Sequence, residues 1–272
     1  MVASVAFASA SSAETQKGAA QIPAGSCKVE PFGSGTVDKV VDGRSFVLAD
    51  GREVRLAGIE VPPMPETDGA APPDASDGGL AAASALAALV VGQEVVLKRA
   101  KSATDRYGRL LADADVTRDG VAGSVAKILV AQGFARVAGR PGDFVCTGEL
   151  RSAERAARMA KLGLWADPRY FSKQAENPAD ISAERGRFTL VEGKVVSVRE
   201  SGGTIYVNFG RRWSEDFTVT IAKRNERIFA AAGIDPQKLA GRHVMVRGWV
   251  EERGGPWIEA SGPGQIEIVA DK

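Results

Sequence analysis

The stretch at residues 37–63 constrains the fold of this chain more than any other, and it reads VDKVVDGRSFVLADGREVRLAGIEVPP. Three short runs within it alternate apolar and polar residues with a period of two, as half-buried β-strands do. The turns between these runs fall at Asp42-Gly43 and at Asp50-Gly51. The second turn is a two-residue connection that fits a tight hairpin, because glycine accepts a positive φ angle. The pattern predicts a three-stranded meander whose last strand leads into a proline-stiffened loop.

Length and charge limit the class of protein. The chain has 272 residues, of which 44% are hydrophobic, so it can bury a sizeable core and hold two domains. Its formal net charge is +1, so a nucleic-acid partner would need a local basic patch rather than a global field. No run approaches the roughly 18 consecutive apolar residues of a membrane span, and we expect no membrane partner.

Residues 1–34 differ in composition from the rest of the chain. They begin MVASVAFASASSAET, which is small and apolar, carries no charge before Glu14 and contains Ala-x-Ala-like sequences. This resembles the tail of a secretory signal peptide without its basic part, followed by a flexible arm, and it predicts a periplasmic or secreted protein. A disordered, alanine-rich start is the alternative. In an exported protein Cys27 and Cys146, the only two cysteines, could form one disulfide.

The remaining chain divides into two β-rich units. The first, residues 35–166, combines the meander with further strands and three helices. Residues 167–187 are polar and irregular and contain two prolines, which predicts a linker. Residues 188–270 follow with three strands, a helical stretch and two or three further strands, which is the order of a five-stranded OB barrel. The predicted fold class is mainly β with appended helices (α+β), with one OB-like barrel followed by a second, smaller one.

Several motifs of the first unit occur in a definite order. Asp42-Gly43 comes first, followed by VRLAGIEVP at residues 54–62, TDRYGRLLA at residues 104–112, GFARV, and a charged helix that ends in GLW. In these motifs the unit resembles the staphylococcal nuclease family, also called thermonuclease-like or TNase-like, over residues 35–165. The resemblance implies an OB barrel and a calcium-dependent phosphodiesterase, a hydrolase that cuts DNA or RNA.

The resemblance also implies two arginines that bind the scissile phosphate and stabilise its charge in the transition state. They correspond to Arg55 in VRLAG and to Arg109 in DRYGR. A guanidinium is always charged and matches a phosphate with two parallel hydrogen bonds, so the residue type suits this role. The alternative is that both arginines pair with surface carboxylates. Tyr107 would flank the same phosphate pocket or serve in packing.

The chain departs from the family at the positions that hold metal and base. The family's first calcium-binding carboxylate usually follows Asp-Gly directly, but here Arg44 stands at that position, and an arginine cannot ligate a cation. The candidate metal ligands that remain are Asp42 and Glu60. Pro63 occupies the position of the usual general base, and proline cannot take a proton.

A substitute base is conceivable in the polar loop that follows Pro63. Glu66 or Asp68 could return to the site and take this role. We therefore expect Ca²⁺ as a cofactor if the protein is active, and otherwise none. Losing a general base typically costs about 10²–10⁴-fold in rate, and losing the metal removes a Lewis acid as well.

The second unit carries its own candidate binding residues in the stretch FGRRWSEDFTV. Arg211, Arg212 and Trp213 follow a predicted strand, and arginines beside an aromatic residue suit phosphate pairing and base stacking on an OB barrel. An ordinary exposed hairpin is the alternative interpretation.

Two functions follow from these residues. The first is a calcium-assisted phosphodiesterase that uses Asp42 and Glu60 for the metal and Arg55 and Arg109 as the phosphate clamp. The second is a catalytically inactive, exported pair of barrels that binds single-stranded DNA or RNA, or another anionic polymer, with Arg44 added to the clamp as a metal-free anion pocket. A periplasmic scaffold that binds proteins through its sheet edges is a third possibility, and no particular residue supports it.

Overall fold

A computed structural model of the chain describes residues 30–65, 77–99, 104–139, 147–212 and 214–269. The predictions that concern Cys27, Glu66, Asp68, Cys146 and Trp213 fall outside these residues and stay predictions. Within the described ranges, no helix is both long enough and apolar enough to cross a membrane.

The first unit is a closed five-stranded barrel with helices appended to it. Strand β1 pairs with β2 and β5, β2 pairs with β3, and β5 pairs with β6; β3 and β6 run parallel and close the barrel. A parallel pairing of the third and fifth barrel strands is typical of an OB fold. The elements in chain order are β1 (Glu30–Asp42), β2 (Ser45–Leu48), β3 (Glu53–Leu56), β4 (Ile59–Glu60), α1 (Asp77–Val90), β5 (Glu94–Arg99), β6 (Leu110–Arg118), β7 (Val121–Ser124), α2 (Val125–Ala131), β8 (Arg136–Val137) and α3 (Thr147–Met159).

The meander predicted from the sequence forms β1, β2 and β3. Alternation along β2 and β3 turns Phe46, Leu48, Val54 and Leu56 into the barrel, where each is at most 1% exposed. The hairpin turn contains Gly51 at φ 87°, as the Asp-Gly connection requires. The short strand β4 leaves the barrel sheet and pairs with β8 instead, so the end of the meander lies beside the segment that follows α2.

The second unit is also a five-stranded OB-like barrel. Its first strand is broken into β10 and β11 and its fourth into β14 and β15, and β13 runs parallel to β16. Helix α5 lies between the third and fourth barrel strands in the chain. The elements are β9 (Lys173–Gln174), α4 (Pro178–Ser182), β10 (Phe188–Lys194), β11 (Ser197–Ser201), β12 (Thr204–Asn208), β13 (Thr218–Ala222), α5 (Glu226–Ala231), β14 (His243–Trp249), β15 (Glu251–Glu252), β16 (Pro256–Glu259) and β17 (Ile266–Ile268), with short 3₁₀ helices at Gly163–Ala166, Pro168–Tyr170, Lys223–Asn225, Pro236–Lys238 and Pro263–Gln265.

Residues 167–187 are structured, which differs from the predicted irregular linker. Strand β9 pairs in parallel with β10, and Ile181 of α4 is fully buried in the core of the second barrel. An ion pair of 2.9 Å between Lys173 Nζ and Glu184 Oε1 joins the two ends of the segment. Its polar composition reflects a layer that covers the second barrel and exposes most of its side chains to solvent.

Helix α3 joins the first barrel to the second. Arg247 of β14 is completely buried and donates to Glu154 Oε2 at 2.7 Å and to the carbonyl oxygen of Val137 at 3.1 Å. Arg151 of the same helix donates to the carbonyl oxygen of Ile266 at 2.9 Å. One charged face of α3 is thus buried between the barrels. The spacing of the small and apolar residues in α3 predicted its inner face but not this second, charged contact.

Candidate functional site

The candidate site lies at the exit of the meander, where β2, β3 and β4 converge. Ser45 opens β2 and pairs across the sheet with Arg55 of β3, so the side chain of Arg55 stands beside the Asp42-Gly43 turn. Arg44 lies in that turn, and Glu60 ends β4. We call Arg44, Arg55 and Arg109 the arginine cluster. Four carboxylates surround it: Asp42, Glu53, Glu60 and Asp105.

Arg44 is bound tightly to Glu60. Its Nη2 lies 2.6 Å from Glu60 Oε2, and its Nη1 donates to the carbonyl oxygen of Ile59 at 2.8 Å. The two side chains are only 13% and 5% exposed. The backbone N–H of Arg44 also donates to Asp42 Oδ1 at 2.8 Å. One residue therefore engages both of the carboxylates that were predicted to hold calcium.

These residues do not fit a calcium ion. Calcium takes six to eight oxygen ligands at about 2.3–2.6 Å, whereas here a guanidinium lies against the carboxylate of Glu60. Among the residues that the structure describes, no group of three or more His, Cys, Asp or Glu side chains is arranged to hold a metal. Asp42 and Glu60 as calcium ligands therefore find no support in this geometry, because Arg44 places a fixed positive charge where the cation would lie.

Arg55 is the least constrained arginine of the cluster. Its Nη1 lies 3.7 Å from Asp42 Oδ2 and 3.4 Å from the hydroxyl oxygen of Ser45, both long contacts. Burial lowers the pKa of the Arg55 guanidinium, and the neighbouring charges of Arg44 and Arg109 lower it further, while Asp42 opposes them. A partly buried guanidinium beside two other cations, without a close carboxylate, favours an anion.

Arg109 precedes β6, and the parallel pairing of β6 with β3 brings it to the same end of the barrel as Arg55. Its Nε and Nη2 donate to Asp105 Oδ2 at 2.8 and 2.7 Å, and Glu53 lies 3.9 Å away. The ring of Tyr107 lies 5.1 Å from the Arg109 guanidinium carbon and is 68% exposed. The structure thus places Tyr107 beside Arg109, with most of its ring open to solvent.

The other predicted site residues are not part of this cluster. Arg211 and Arg212 lie in the connection between β12 and β13 of the second barrel, and both are exposed. Arg212 pairs with Glu215 at 2.8 Å, and its backbone N–H donates to Asp216 Oδ2 at 2.7 Å. Within the described residues, no hydrogen bond or ion pair joins either arginine to the first barrel. They form part of an exposed turn.

Sequence reasoning missed three residues that shape the site. Ser45 supplies the hydroxyl near Arg55, and Asp105 accepts hydrogen bonds from Arg109. Arg136 of β8 lies opposite Glu60 in the β4·β8 strand pair, without an ion pair between their side chains. Asp105 and Arg136 lie inside quoted motifs, TDRYGR and GFARV, and so were visible in the sequence. The partner of Asp105, Arg109, lies in the same motif, whereas Glu60, the cross-strand neighbour of Arg136, lies in a distant one.

The fold defines the class of the first barrel, an OB-fold domain with the arginine cluster at one end. Residues 53–167 match the model of the family of staphylococcal nuclease homologues, so this part of the chain is staphylococcal nuclease-like. The structure adds β1 and β2, with Arg44, in front of the matched residues and so completes the barrel. A search of curated proteins finds no significant match to the chain. The match supports a nuclease-family or nucleic-acid-binding role.

Proposed function

We propose that the first barrel binds the phosphodiester backbone of single-stranded DNA or RNA without calcium, and that cleavage is absent or far below the rate of an active nuclease. Arg55 is the primary phosphate ligand in this proposal, with Arg109 and Arg44 beside it. The observation that carries the proposal is the contact of 2.6 Å between Arg44 and Glu60, which occupies the predicted metal position with a protein cation.

A guanidinium at this position can support binding but not the chemistry of calcium. It adds positive charge near the phosphate, as a metal would, and donates hydrogen bonds in a fixed plane. It cannot coordinate a water molecule and lower the pKa of that water, which is how a metal generates a nucleophile.

The residue at the position of the general base also favours binding without cleavage. Pro63 has no group that accepts a proton, and a missing general base typically lowers the rate by about 10²–10⁴-fold. Binding does not require a base, because the phosphate contacts of Arg55 and Arg109 depend only on charge and hydrogen bonding. Among the described residues, the site therefore retains arginines for recognition and has a proline where the general base would stand.

The test measures binding and cleavage on the same samples. Fluorescence anisotropy with a labelled single-stranded oligonucleotide, in calcium and in EDTA, gives the affinity, and denaturing gels of the same mixtures give the cleavage. Arg55→Ala is expected to weaken binding on the order of tenfold, the loss of one charge-assisted phosphate contact. Arg52→Ala is the matched control, because Arg52 pairs with Asp50 on an exposed turn of the same meander.

The outcomes separate the two functions. Binding that survives EDTA, is weakened by Arg55→Ala and is unchanged by Arg52→Ala supports the proposal. Calcium-dependent cleavage that Arg109→Ala abolishes would overturn the inactive interpretation. Equal affinity of wild type and Arg55→Ala would overturn the assignment of the phosphate site.

A further inference from the structure

Arg136 is a buried arginine at the junction of the two barrels. It lies on β8 opposite Glu60 of β4, and only 7% of the residue is exposed. Two aromatic rings from the second unit flank its guanidinium carbon, Tyr170 at 5.4 Å and Phe188 at 5.2 Å from their ring centroids. The rings provide a cation–π environment that holds the guanidinium in place.

In the part of the chain that the structure describes, the guanidinium of Arg136 has no hydrogen-bond acceptor. Its Nε is buried without a hydrogen-bond partner, and across the described residues no side chain or carbonyl group accepts a hydrogen bond from it or forms an ion pair with it. Buried arginines ordinarily pair with a carboxylate or with carbonyl oxygens, and an unsatisfied buried polar group calls for a specific explanation. Burial lowers the pKa of Arg136, and the nearby Tyr170, Glu154 and Glu60 oppose this shift only in part.

The carboxylates that interact electrostatically with Arg136 already form ion pairs with other residues. Glu60 pairs with Arg44 at 2.6 Å, Glu154 with Arg247 at 2.7 Å, and Glu184 with Lys173 at 2.9 Å. Each of the three is held by a cation closer than Arg136. Arg136 therefore has no ion-pair partner among the described residues, and its buried Nε has no acceptor.

The surroundings select the kind of anion. The guanidinium of Arg136 is planar and close to the rings of Tyr170 and Phe188, and a planar guanidinium can bind the oxygens of a phosphate with two parallel hydrogen bonds. Phe171, next to Tyr170, is 45% exposed and offers an apolar face on which a base could stack. The β4·β8 pair joins this junction to the arginine cluster, because Glu60 is at once the partner of Arg44 and the cross-strand neighbour of Arg136.

We propose that Arg136 is the centre of a second phosphate subsite, which takes another phosphate of the strand whose backbone lies on Arg55. This inference rests on the proposed function for its physiological ligand. The site itself requires only an anion with phosphate geometry, so inorganic phosphate is the simplest probe.

The test uses the full chain and two substitutions at this position. Arg136→Met keeps the length of the side chain and removes the charge, and Arg136→Lys keeps the charge and removes the planar edge. Arg227→Met, on the exposed face of α5 in the second barrel, is the matched control. Thermal unfolding is recorded in chloride buffer with and without inorganic phosphate, and oligonucleotide binding is recorded against salt concentration.

We expect Arg136→Met to unfold in phosphate-free buffer at or above the temperature of the wild type, because it removes a buried charge that has no ion-pair partner among the described residues. Inorganic phosphate is expected to raise the unfolding temperature of the wild type and of Arg227→Met by more than that of Arg136→Met, which keeps only the arginine cluster as a phosphate site. Oligonucleotide affinity is expected to fall on the order of tenfold in Arg136→Met, with an intermediate loss in Arg136→Lys. The slope of log K against log salt is expected to decrease in magnitude by about 0.7, the value for one phosphate contact on a single strand.

The failures of the two proposals can be told apart. If Arg55→Ala weakens strand binding and Arg136→Met does not, the proposed function stands and the second subsite is overturned. If phosphate stabilises the protein through Arg136 but no oligonucleotide binds, the anion site stands and the proposed function fails. A large loss of stability in both Arg136 variants without phosphate would overturn the subsite, because Arg136 would then be a structural residue.

Discussion

Replacing Arg44 by aspartate tests whether an ion pair occupies the position of a metal. Arg44→Asp removes the guanidinium that lies 2.6 Å from Glu60 and puts a second carboxylate on the turn. Glu60 is 3% exposed, so its buried charge then loses the ion-pair partner that lies against it. Breaking a buried ion pair costs about 3–5 kcal/mol, and about 2–4 °C of melting temperature is lost per kcal/mol for a chain of this size, so we expect a fall of about 6–20 °C in EDTA.

Calcium is expected to restore part of this loss in the variant alone. Two carboxylates without an intervening guanidinium provide oxygen ligands for a hard cation. A ligand at a hundredfold excess over its Kd stabilises the folded state by about 2.7 kcal/mol, which corresponds to roughly 5–11 °C here. Differential scanning fluorimetry across a calcium titration gives both numbers, and calorimetry at one temperature gives the Kd independently.

Arg52→Asp is the control for this experiment, because Arg52 and Asp50 form an ion pair on an exposed turn with side chains 39% and 50% exposed. An exposed ion pair contributes little to stability, so this variant is expected to unfold near the wild-type temperature. If Arg44→Asp also unfolds at the wild-type temperature in EDTA, Arg44 does not compensate the charge of Glu60. If calcium stabilises Arg52→Asp equally, the effect is general screening and the argument about the site fails.

Three further predictions concern the frame around the site. Burial raises the pKa of Asp113 from 3.8 to about 6, so the folded protein holds this proton to a higher pH than the unfolded chain does. The free energy of unfolding is therefore expected to fall by about 3 kcal/mol as pH rises from about 4 to about 6. Asp113→Asn is expected to remove this fall in urea unfolding at several pH values. Glu154→Gln leaves the completely buried Arg247 without its 2.7 Å carboxylate partner and is expected to cost about 3–5 kcal/mol in the same assay. Gly133→Ala places a methyl group 2.2 Å from the carbonyl oxygen of Leu162 at φ 78° and is expected to lower the melting temperature by several degrees, about 1–3 kcal/mol of strain.

Each of these predictions has a control with the same chemistry and a different environment. Asp38→Asn changes an exposed carboxylate on β1 and is expected to leave the pH profile unchanged. Glu149→Gln removes an exposed charge from α3, 59% exposed and paired with Lys127, at a cost near zero. Gly92→Ala has the same positive φ but meets no atom within 4 Å, so it isolates backbone strain from steric clash. A control that matches its test variant would contradict the corresponding argument.

Much of the fold could be predicted because its signals are local. The period of two in residues 37–63 and the glycine of the Asp-Gly turn depend on neighbouring residues only, and both appear in β1, β2 and β3 as expected. The order of elements in the second unit likewise indicated an OB barrel. Residues 167–187 were predicted to be an irregular linker. The structure differs because Ile181 of this segment packs into a core that distant strands form, which a local pattern does not reveal.

The candidate site shows the same division. The sequence by itself determined the residue types: arginines at positions 44, 55 and 109, and a proline where a base would stand. Only the tertiary structure decided which charges meet. Arg44 pairs with Glu60, Arg55 keeps long contacts, and Arg136 lies near two aromatic rings with no acceptor among the described residues. The physical reason is that periodicity and turn chemistry act between neighbours in the chain. The partner of a charge is instead set by barrel closure and domain packing. These bring together residues such as Glu154 and Arg247, which are 93 positions apart in the sequence.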